Sequence, residues 1–383
     1  MKVVHAAKFY PPFRGGMEAF VQTLAVGTAR DWDVVVVAAN TSSRTIEERA
    51  DGVRVVRAGT LGVVASVALC PTLPWRLWRE RADCVVLHEP NPVAGGALLL
   101  RTPAPRLVIW HHSDLVRPWW ARPTYGRLQR LLYRRADCVI VSNPVLAAQS
   151  ALVRSARRVA VIPFGVDLPR YRTLDPAQVR EASRIRDGVA GPRLLFVGRF
   201  VYYKGLDVLI EAMTRCAGTL ILVGDGPLEG ALRQQVARLG LDARVLFAGR
   251  VQDADLPAYY HASDVFVLPS VAESETYGLV QVEAMASGVP VVSTNLPTGV
   301  PWVNQDRVTG LIVRPGDVAA LAEALTTLLD NPSLRRTLGD NGRRRAESMF
   351  SRDDTVSTFR TLVEDLVHDV RRAPGRRVPM EPA

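Results

Sequence analysis

The sequence predicts two doubly wound α/β domains, on three observations. At 383 residues the chain exceeds the roughly 250 to 300 residues over which a single core keeps growing. Short β-branched runs alternate with longer helical patterns from end to end, as in parallel sheets covered by helices on both faces. The alternation breaks once, after Pro163, and restarts at Leu194. In such sheets ligands bind outside the carboxyl ends of the strands, so a site is expected in a cleft between the two domains.

The elements follow in order. An apolar strand at 3–7 is too short for a signal-peptide core, and it leads through Pro11-Pro12 and Gly15-Gly16 into a helical pattern. Buried strands are then expected at 34–38, 53–56, 84–87, 107–110, 139–142 and 159–162. Residues 58–75 carry no charge but are interrupted by Gly59, Gly62, Pro71 and Pro74, so they are expected to be buried or interfacial rather than membrane-spanning. A polar, proline-containing stretch reaches Pro192, and a second strand series runs through 194–197, 220–223, 245–248, 265–268, 289–293 and 311–313. The domains are therefore placed at 1–167 and 168–350, with a C-terminal helix at 351–370 and a tail, 371–383, predicted to be disordered.

Composition narrows the class. With 48% hydrophobic and 22% charged residues the chain is an ordinary globular protein, and whole-chain disorder is excluded. Its net charge of +10 lies entirely within residues 1–167, since the remainder is balanced. The excess gathers around Arg76, Arg79 and Arg81, then Arg117 to Arg135, then Arg154, Arg157 and Arg158, interleaved with Trp75, Trp78, Trp119 and Trp120. Such a surface suits anionic lipid headgroups or a phosphorylated acceptor; ordinary solvated helix faces are the alternative. No nucleic-acid motif accompanies the charge, so nucleic acid is not an expected partner. Cys70, Cys84, Cys138 and Cys216 are scattered, without a disulfide framework or a zinc pattern. A cytoplasmic protein is expected, peripheral on the inner face of a membrane if the basic surface binds lipid.

Two constellations carry chemistry. Phe196-Val-Gly-Arg-Phe-Val-Tyr-Tyr-Lys-Gly205 sets Arg199 and Lys204 just past a strand's carboxyl end; a planar guanidinium fork and a compact ammonium together suit a diphosphate. Lysine occurs only three times in the chain, against 45 arginines, so a lysine at this spot stands out. Further on, Glu275 and Glu283 enclose seven residues, and a helix starting near Gly278 would aim the amides of Gly278, Leu279 and Val280 at an anion. Eight helical positions span on the order of 12 Å. That exceeds the roughly 5 to 9.5 Å between paired glycosidase carboxylates, so the two glutamates fit two ends of one ligand.

The N-terminal half adds weaker signals. Gly15-Gly16 is either a turn whose amides approach a phosphate or a plain structural turn. His111-His112-Ser113-Asp114 follows a strand and falls where a cleft is expected, with a capping turn explaining only part of it.

With these motifs the sequence resembles glycosyltransferase family 4, the retaining group with the GT-B fold of two Rossmann-like domains. The resemblance covers nearly the whole chain: Gly15-Gly16-Met-Glu18, His112-Ser-Asp114, Gly165-Val-Asp167, the 198–205 segment, Gly224-Asp-Gly-Pro227 and the Glu275/Glu283 motif. It implies that Arg199 and Lys204 hold the donor diphosphate, Glu275 the sugar hydroxyls and Glu283 the ribose. It also implies that the Gly249-Arg-Val251 loop meets the base and that His112 sits beside the transferring sugar, with Asp114 toward the acceptor. Gly15, Gly16, Tyr277, Gly278 and Leu279 complete the implied donor site; Tyr277 stands where many relatives carry Phe. Shorter matches, such as Val201-Tyr-Tyr-Lys204, resemble bacterial polysaccharide and O-antigen mannosyltransferases, which implies GDP-mannose and a glycan or polyprenyl-diphosphate-linked acceptor.

The implied catalytic set is Glu275, His112, Arg199 and Lys204. No metal site and no cofactor are expected, the basic pair and the helix start replacing a divalent ion. The family's usual proposal is front-side attack with the departing phosphate accepting the acceptor's proton. UDP-sugar chemistry and a non-catalytic nucleotide-sugar-binding scaffold of a polysaccharide assembly complex are the competing expectations. A sugar-nucleotide epimerase or a phosphorylase fits less well, since such an enzyme would lack this glutamate pair or would show a cofactor-anchoring lysine motif not seen here.

Overall fold

The computed structural model describes residues 1–13, 15–64, 67–114 and 122–369. Arg117, Trp119, Trp120 and the tail 371–383 lie outside them. The chain divides into two compact units: one comprises Met1–Val141, Ala147–Ile162 and the chain from Val356, the other Ser142–Leu146 and Pro163–Thr355.

The first unit contains β1 (Lys2–Ala6), α1 (Gly16–Thr28), β2 (Asp33–Ala39), β3 (Ile46–Ala50), β4 (Val53–Ala58), β5 (Val63–Val64), β6 (Val67–Ala68) and α2 (Leu73–Arg79). It continues with β7 (Cys84–Glu89), α3 (Pro92–Leu100), β8 (Arg106–His111), α4 (Arg122–Arg135), β9 (Cys138–Val141), α5 (Pro144–Gln149), which starts in the other unit, and β10 (Val159–Val161). Its sheet runs β10-β9-β8-β7-β1-β2-β4-β3, with only the edge strand β3 antiparallel. Strand order therefore reverses between β1 and β7. Both faces of the sheet are covered, which is why its strands are near-continuous valine and isoleucine runs with no alternation.

The second unit holds α6 (Leu168–Arg172), α7 (Pro176–Asp187), β11 (Arg193–Val197), α8 (Leu206–Ala212), β12 (Thr219–Val223), α9 (Glu229–Arg238), β13 (Val245–Gly249) and α10 (Leu256–Ala262). After these come β14 (Val265–Leu268), α11 (Leu279–Ala286), β15 (Val291–Thr294), α12 (Val300–Val303), β16 (Gly310–Val313), α13 (Val318–Asp330) and α14 (Pro332–Met349). The sheet order β13-β12-β11-β14-β15-β16 is wholly parallel and reverses between β11 and β14. Leu194, Phe196, Leu209, Leu222 and Val267 lie in its core. The last helix, α15 (Arg352–His368), opens in this unit and belongs to the first from Val356, where Phe359 is fully buried.

The two doubly wound sheets match the predicted fold class. The stretch before Pro192 is helical in α6 and α7: Pro169 and Pro176 sit in first turns, where a missing N–H costs nothing, and Asp175 and Gln178 form a capping box. In the uncharged stretch 58–75, expected to be buried or interfacial, Leu61, Val63, Val64, Leu69 and Trp75 are exposed around the β5–β6 hairpin and the start of α2. Trp78 is half-buried, and its indole N–H donates to the Ala97 carbonyl at 3.0 Å. Among the described residues no helix is long and apolar enough to cross a membrane.

Candidate functional site

β11 and β14 are neighbours at the reversal of strand order, so the loops leaving their carboxyl ends diverge there, the place where ligands bind in open α/β sheets. The β11 loop carries Arg199, whose side chain is exposed, then a 3-10 turn over Tyr202–Lys204 and Gly205 at φ 64°. A Cβ on Gly205 would lie 2.2 Å from the Pro269 carbonyl oxygen, so glycine is what lets this turn settle on the β14 loop. The Val271 amide donates to the Tyr203 carbonyl at 2.8 Å and fixes the contact.

This brings Lys204 and Glu275 together across 71 residues of sequence. Lys204 Nζ forms an ion pair with Glu275 Oε2, their side chains only 11% and 10% exposed. The Ser270 hydroxyl donates to the same carboxylate oxygen at 3.3 Å. From the sequence these two side chains were expected at different parts of a ligand; they touch one another. A buried ion pair adds little net stability, because desolvation offsets its attraction, so a pair at a strand-order reversal points to binding.

Neighbouring loops interlock around it. A Cβ on Gly224 would meet the Gly198 carbonyl at 2.0 Å, and the Phe200 amide donates to the Asp225 carbonyl at 2.7 Å, so the β12 loop lies directly on the Arg199 turn. The Gly224 amide in turn donates to the Gly249 carbonyl at 2.8 Å, leaving Val251 half-buried just beyond.

α11 starts at Leu279, behind Gly278 at φ 73°, where a Cβ would clash with Leu268 at 2.6 Å. Only the second half of the Glu275–Glu283 interval is therefore helical, and the span reckoned from eight helical rises does not apply. Glu283 accepts a hydrogen bond from the Tyr260 hydroxyl at 2.6 Å. Burial raises its pKa, while the Tyr260 and Tyr171 hydroxyls oppose that shift. Tyr277 is buried against Phe164, Trp302 and Phe350, with its hydroxyl on the Phe164 carbonyl at 3.2 Å, so it supports the turn from beneath.

In the first unit, Gly15 caps α1, and the Glu18 carboxylate occupies the space a Cβ on Gly15 would need, with Gly16 open beside it. Asp114 is exposed and accepts from the Ser150 hydroxyl at 2.8 Å. His111 meets the Tyr133 hydroxyl at 2.6 Å. His112 instead joins a buried chain: its Nε2 lies 3.1 Å from His88 Nδ1, and His88 Nε2 lies 3.0 Å from His5 Nδ1. Burial lowers the pKa of His5 to about 4, of His112 to about 3, and of His88 well below its ordinary value. All three are neutral at pH 7. Glu89, raised by burial, accepts from the Asn91 amide, Gln129 and Tyr125.

His5, His88, Glu89, Ser270 and Tyr260 were not singled out from sequence. His88-Glu89-Pro90 ends a strand as His111-His112 does, and that shared position is the signal that could have found it. Two Asp-x-Asp spacings also occur. Asp31 of the first pairs with Arg360 at 2.7 Å, and Asp255 of the second is the N-cap residue of α10. Among the described residues no group of three His, Cys, Asp or Glu side chains is arranged to hold a metal ion.

Residues 182–345 match the family model for glycosyl transferases group 1, and residues 15–165 match the glycosyl transferase 4-like domain. The chain is 30% identical to O-antigen chain mannosyltransferase C of Escherichia coli over 376 residues, covering 96% of this chain and 99% of that one. It is 33% identical over 272 residues, 70% of each chain, to the D-rhamnosyltransferase WbpZ of Pseudomonas aeruginosa. Among solved structures, Anabaena Alr3699/HepE in complex with UDP is similar with a TM-score of 0.76 and 25% identity, over 95% of this chain and 100% of that one.

Proposed function

The chain belongs to the glycosyltransferases of the GT-B fold, and on that premise we propose that it moves a hexose from a nucleoside-diphosphate sugar to a glycan or lipid-linked acceptor in cell-surface polysaccharide synthesis. The observation that carries this is the buried Lys204–Glu275 pair at the β11/β14 reversal, with Glu283 on the adjacent helix start. In this reading the Lys204 ammonium turns from Glu275 toward a departing diphosphate, joined by Arg199. Glu275, so released, accepts hydrogen bonds from the sugar's hydroxyls. Glu283, held by Tyr260, accepts from the ribose, and the amides at Gly278 and Leu279 donate to phosphate oxygens. Val251 is assigned to the base, Gly15 and Gly16 to the donor, and His112 and Asp114 to the transferring sugar and the acceptor.

Leaving-group charge is then stabilised by fixed cations and dipoles, so turnover needs neither a divalent metal nor a cofactor. In this reading no side chain acts as a covalent nucleophile, and the departing phosphate takes the acceptor's proton as the new bond forms on the same face, with retention. Mannose from GDP-mannose is the favoured donor. O-antigen chain mannosyltransferase C and WbpZ, the latter acting with the 6-deoxy form of mannose, both support a manno-configured sugar. HepE's complex with UDP supports the second choice, a UDP-sugar. The acceptor is assigned to the N-terminal residues 1–167, whose +10 charge excess and exposed Leu61, Val63, Val64 and Trp75 suit a polyprenyl-diphosphate-linked glycan at an anionic membrane surface on the cytoplasmic side.

Release of nucleoside diphosphate from a panel of GDP-, UDP- and ADP-sugars tests this. Release from one of them, lost in Lys204→Met, supports a working transferase; binding without release from any points to the scaffold alternative.

A further inference from the structure

Strand order in the first unit reverses between β1 and β7, and three histidines cross that point on one face of the sheet. His5 on β1, His88 on β7 and His112 just after β8 are stacked in series, with ring centroids 5.3 and 5.4 Å apart and planes inclined by 22° and 23°. Their nitrogens meet at 3.0 and 3.1 Å. The series is packed among Trp110, Phe20 and Phe359 and is closed to water: His5 and His88 have no exposed surface, and His112 has 6%.

A neutral imidazole carries one N–H and one lone pair, so each N–H···N contact needs a donor and an acceptor. His88 uses both nitrogens within the series. The two hydrogen bonds must therefore point the same way, and only two arrangements exist. In one, His5 Nδ1–H donates to His88 Nε2, His88 Nδ1–H donates to His112 Nε2, and the proton of His112 lies on Nδ1. In the other every bond is reversed, and His112 carries its proton on Nε2. His5 Nε2, the far end of the series, decides between them. It is buried with no hydrogen-bond partner among the described residues. The reversed arrangement would put an N–H there with no acceptor, which native interiors almost never do; the first leaves only a lone pair.

We propose that His5 and His88 are positioning residues that hold His112 as its Nδ1–H tautomer, so that His112 presents a hydrogen-bond donor to the transferring sugar. This rests on the assignment of His112 to the sugar and adds to it the reason its orientation and proton are fixed. Direction is transmitted from an orphaned nitrogen on β1 through two hydrogen bonds, with no charge in the series.

Nitrogen-15 NMR of the histidine side chains in the full chain at pH 7.5 tests it, because the shifts of Nδ1 and Nε2 report which one is protonated. Wild type should show His112 protonated on Nδ1 and lone-paired on Nε2; the opposite pattern overturns the proposal. His88→Leu should release His112 to the Nε2–H form and lower kcat at least tenfold, with the affinity for GDP unchanged. An unaltered His112 signal in that variant would overturn the relay. His88→Gln offers an amide N–H to His112 and a carbonyl to His5, so it should restore the Nδ1–H signal and most of kcat. Restoration of neither in a folded His88→Gln variant counts against the proposal. His112→Ala at wild-type kcat, with the tautomer in wild type as stated, would instead remove the assignment of His112 to the sugar.

Discussion

Breaking the Lys204–Glu275 pair gives the largest effect expected from a conservative change. Lys204→Met leaves the Glu275 carboxylate, among the described residues, with the Ser270 hydroxyl, and Glu275→Gln leaves a buried ammonium without its counter-ion. Removing one partner of a buried pair typically costs about 3 to 5 kcal/mol, because the survivor stays desolvated and uncompensated. In a unit of about 200 residues each kcal/mol shifts the melting temperature by roughly 2 to 4 °C, so each single variant should melt about 6 to 20 °C below wild type. The double variant Lys204→Met/Glu275→Gln removes both charges and should recover most of that loss, a coupling of about 2 kcal/mol or more. All three should be inactive. Scanning calorimetry of the ligand-free protein measures the cycle. Single variants that melt with wild type, or losses that simply add, would refute the idea that these side chains hold each other ready for a ligand.

Titration calorimetry should separate the two glutamates. Glu283→Ala should weaken nucleotide sugar and free nucleoside diphosphate alike, by about tenfold or more, whereas Glu275→Gln should spare the free nucleotide; equal losses for both ligands in both variants would mean they are misplaced along the donor. Stability should fall on acidification. His5, His111 and His112 have native pKa values near 4, 4 and 3, against 6.5 unfolded, so their contribution is intact above pH 6.5 and is lost as pH drops toward 4, at up to about 1.4 kcal/mol per pH unit each. The raised carboxyls of Glu18, Glu89 and Glu283 act in the opposite sense, so the histidines are read directly by side-chain nitrogen-15 NMR: His5, His111 and His112 found protonated at about pH 5.5 would contradict their buried neutral state. Vesicle co-sedimentation should show binding to anionic but not neutral liposomes, falling with salt, at about 1 kcal/mol for each engaged arginine. Leu61→Asp and Val64→Asp should weaken it, and equal partitioning to both lipids would leave the arginines as solvated surface.

Much of this architecture was legible because parallel strands buried on both faces must be continuous β-branched runs; twelve were placed in the two series from 34 onward, each within a residue or two. β3 was not, since Ile46-Glu-Glu-Arg-Ala50 is an exposed edge whose strand character comes from its antiparallel partner β4. α6 and α7 hid behind Pro169 and Pro176, residues that break helices everywhere except the first turn. At the site, the residue types were readable and their pairing was not. Lys204 meets Glu275 only because a 3-10 turn and the left-handed Gly205 fold one loop onto another, which spacing along the chain does not encode. His5 and His88 were invisible for a similar reason: each is one polar residue in an apolar strand, and only the order of β1, β7 and β8 lines them up with His112.

The central claim is transfer driven by fixed protein charge. Its most direct measurement is nucleoside diphosphate release and glycosyl product formation from GDP-mannose with excess chelator, in wild type and in Lys204→Met. Wild type should keep its full rate with chelator and give a product with the donor's anomeric configuration, while Lys204→Met should lose at least a hundredfold, the equivalent of about 2.7 kcal/mol of leaving-group stabilisation. Activity that vanishes with chelator and returns with magnesium or manganese, at a rate Lys204→Met does not change, would contradict it.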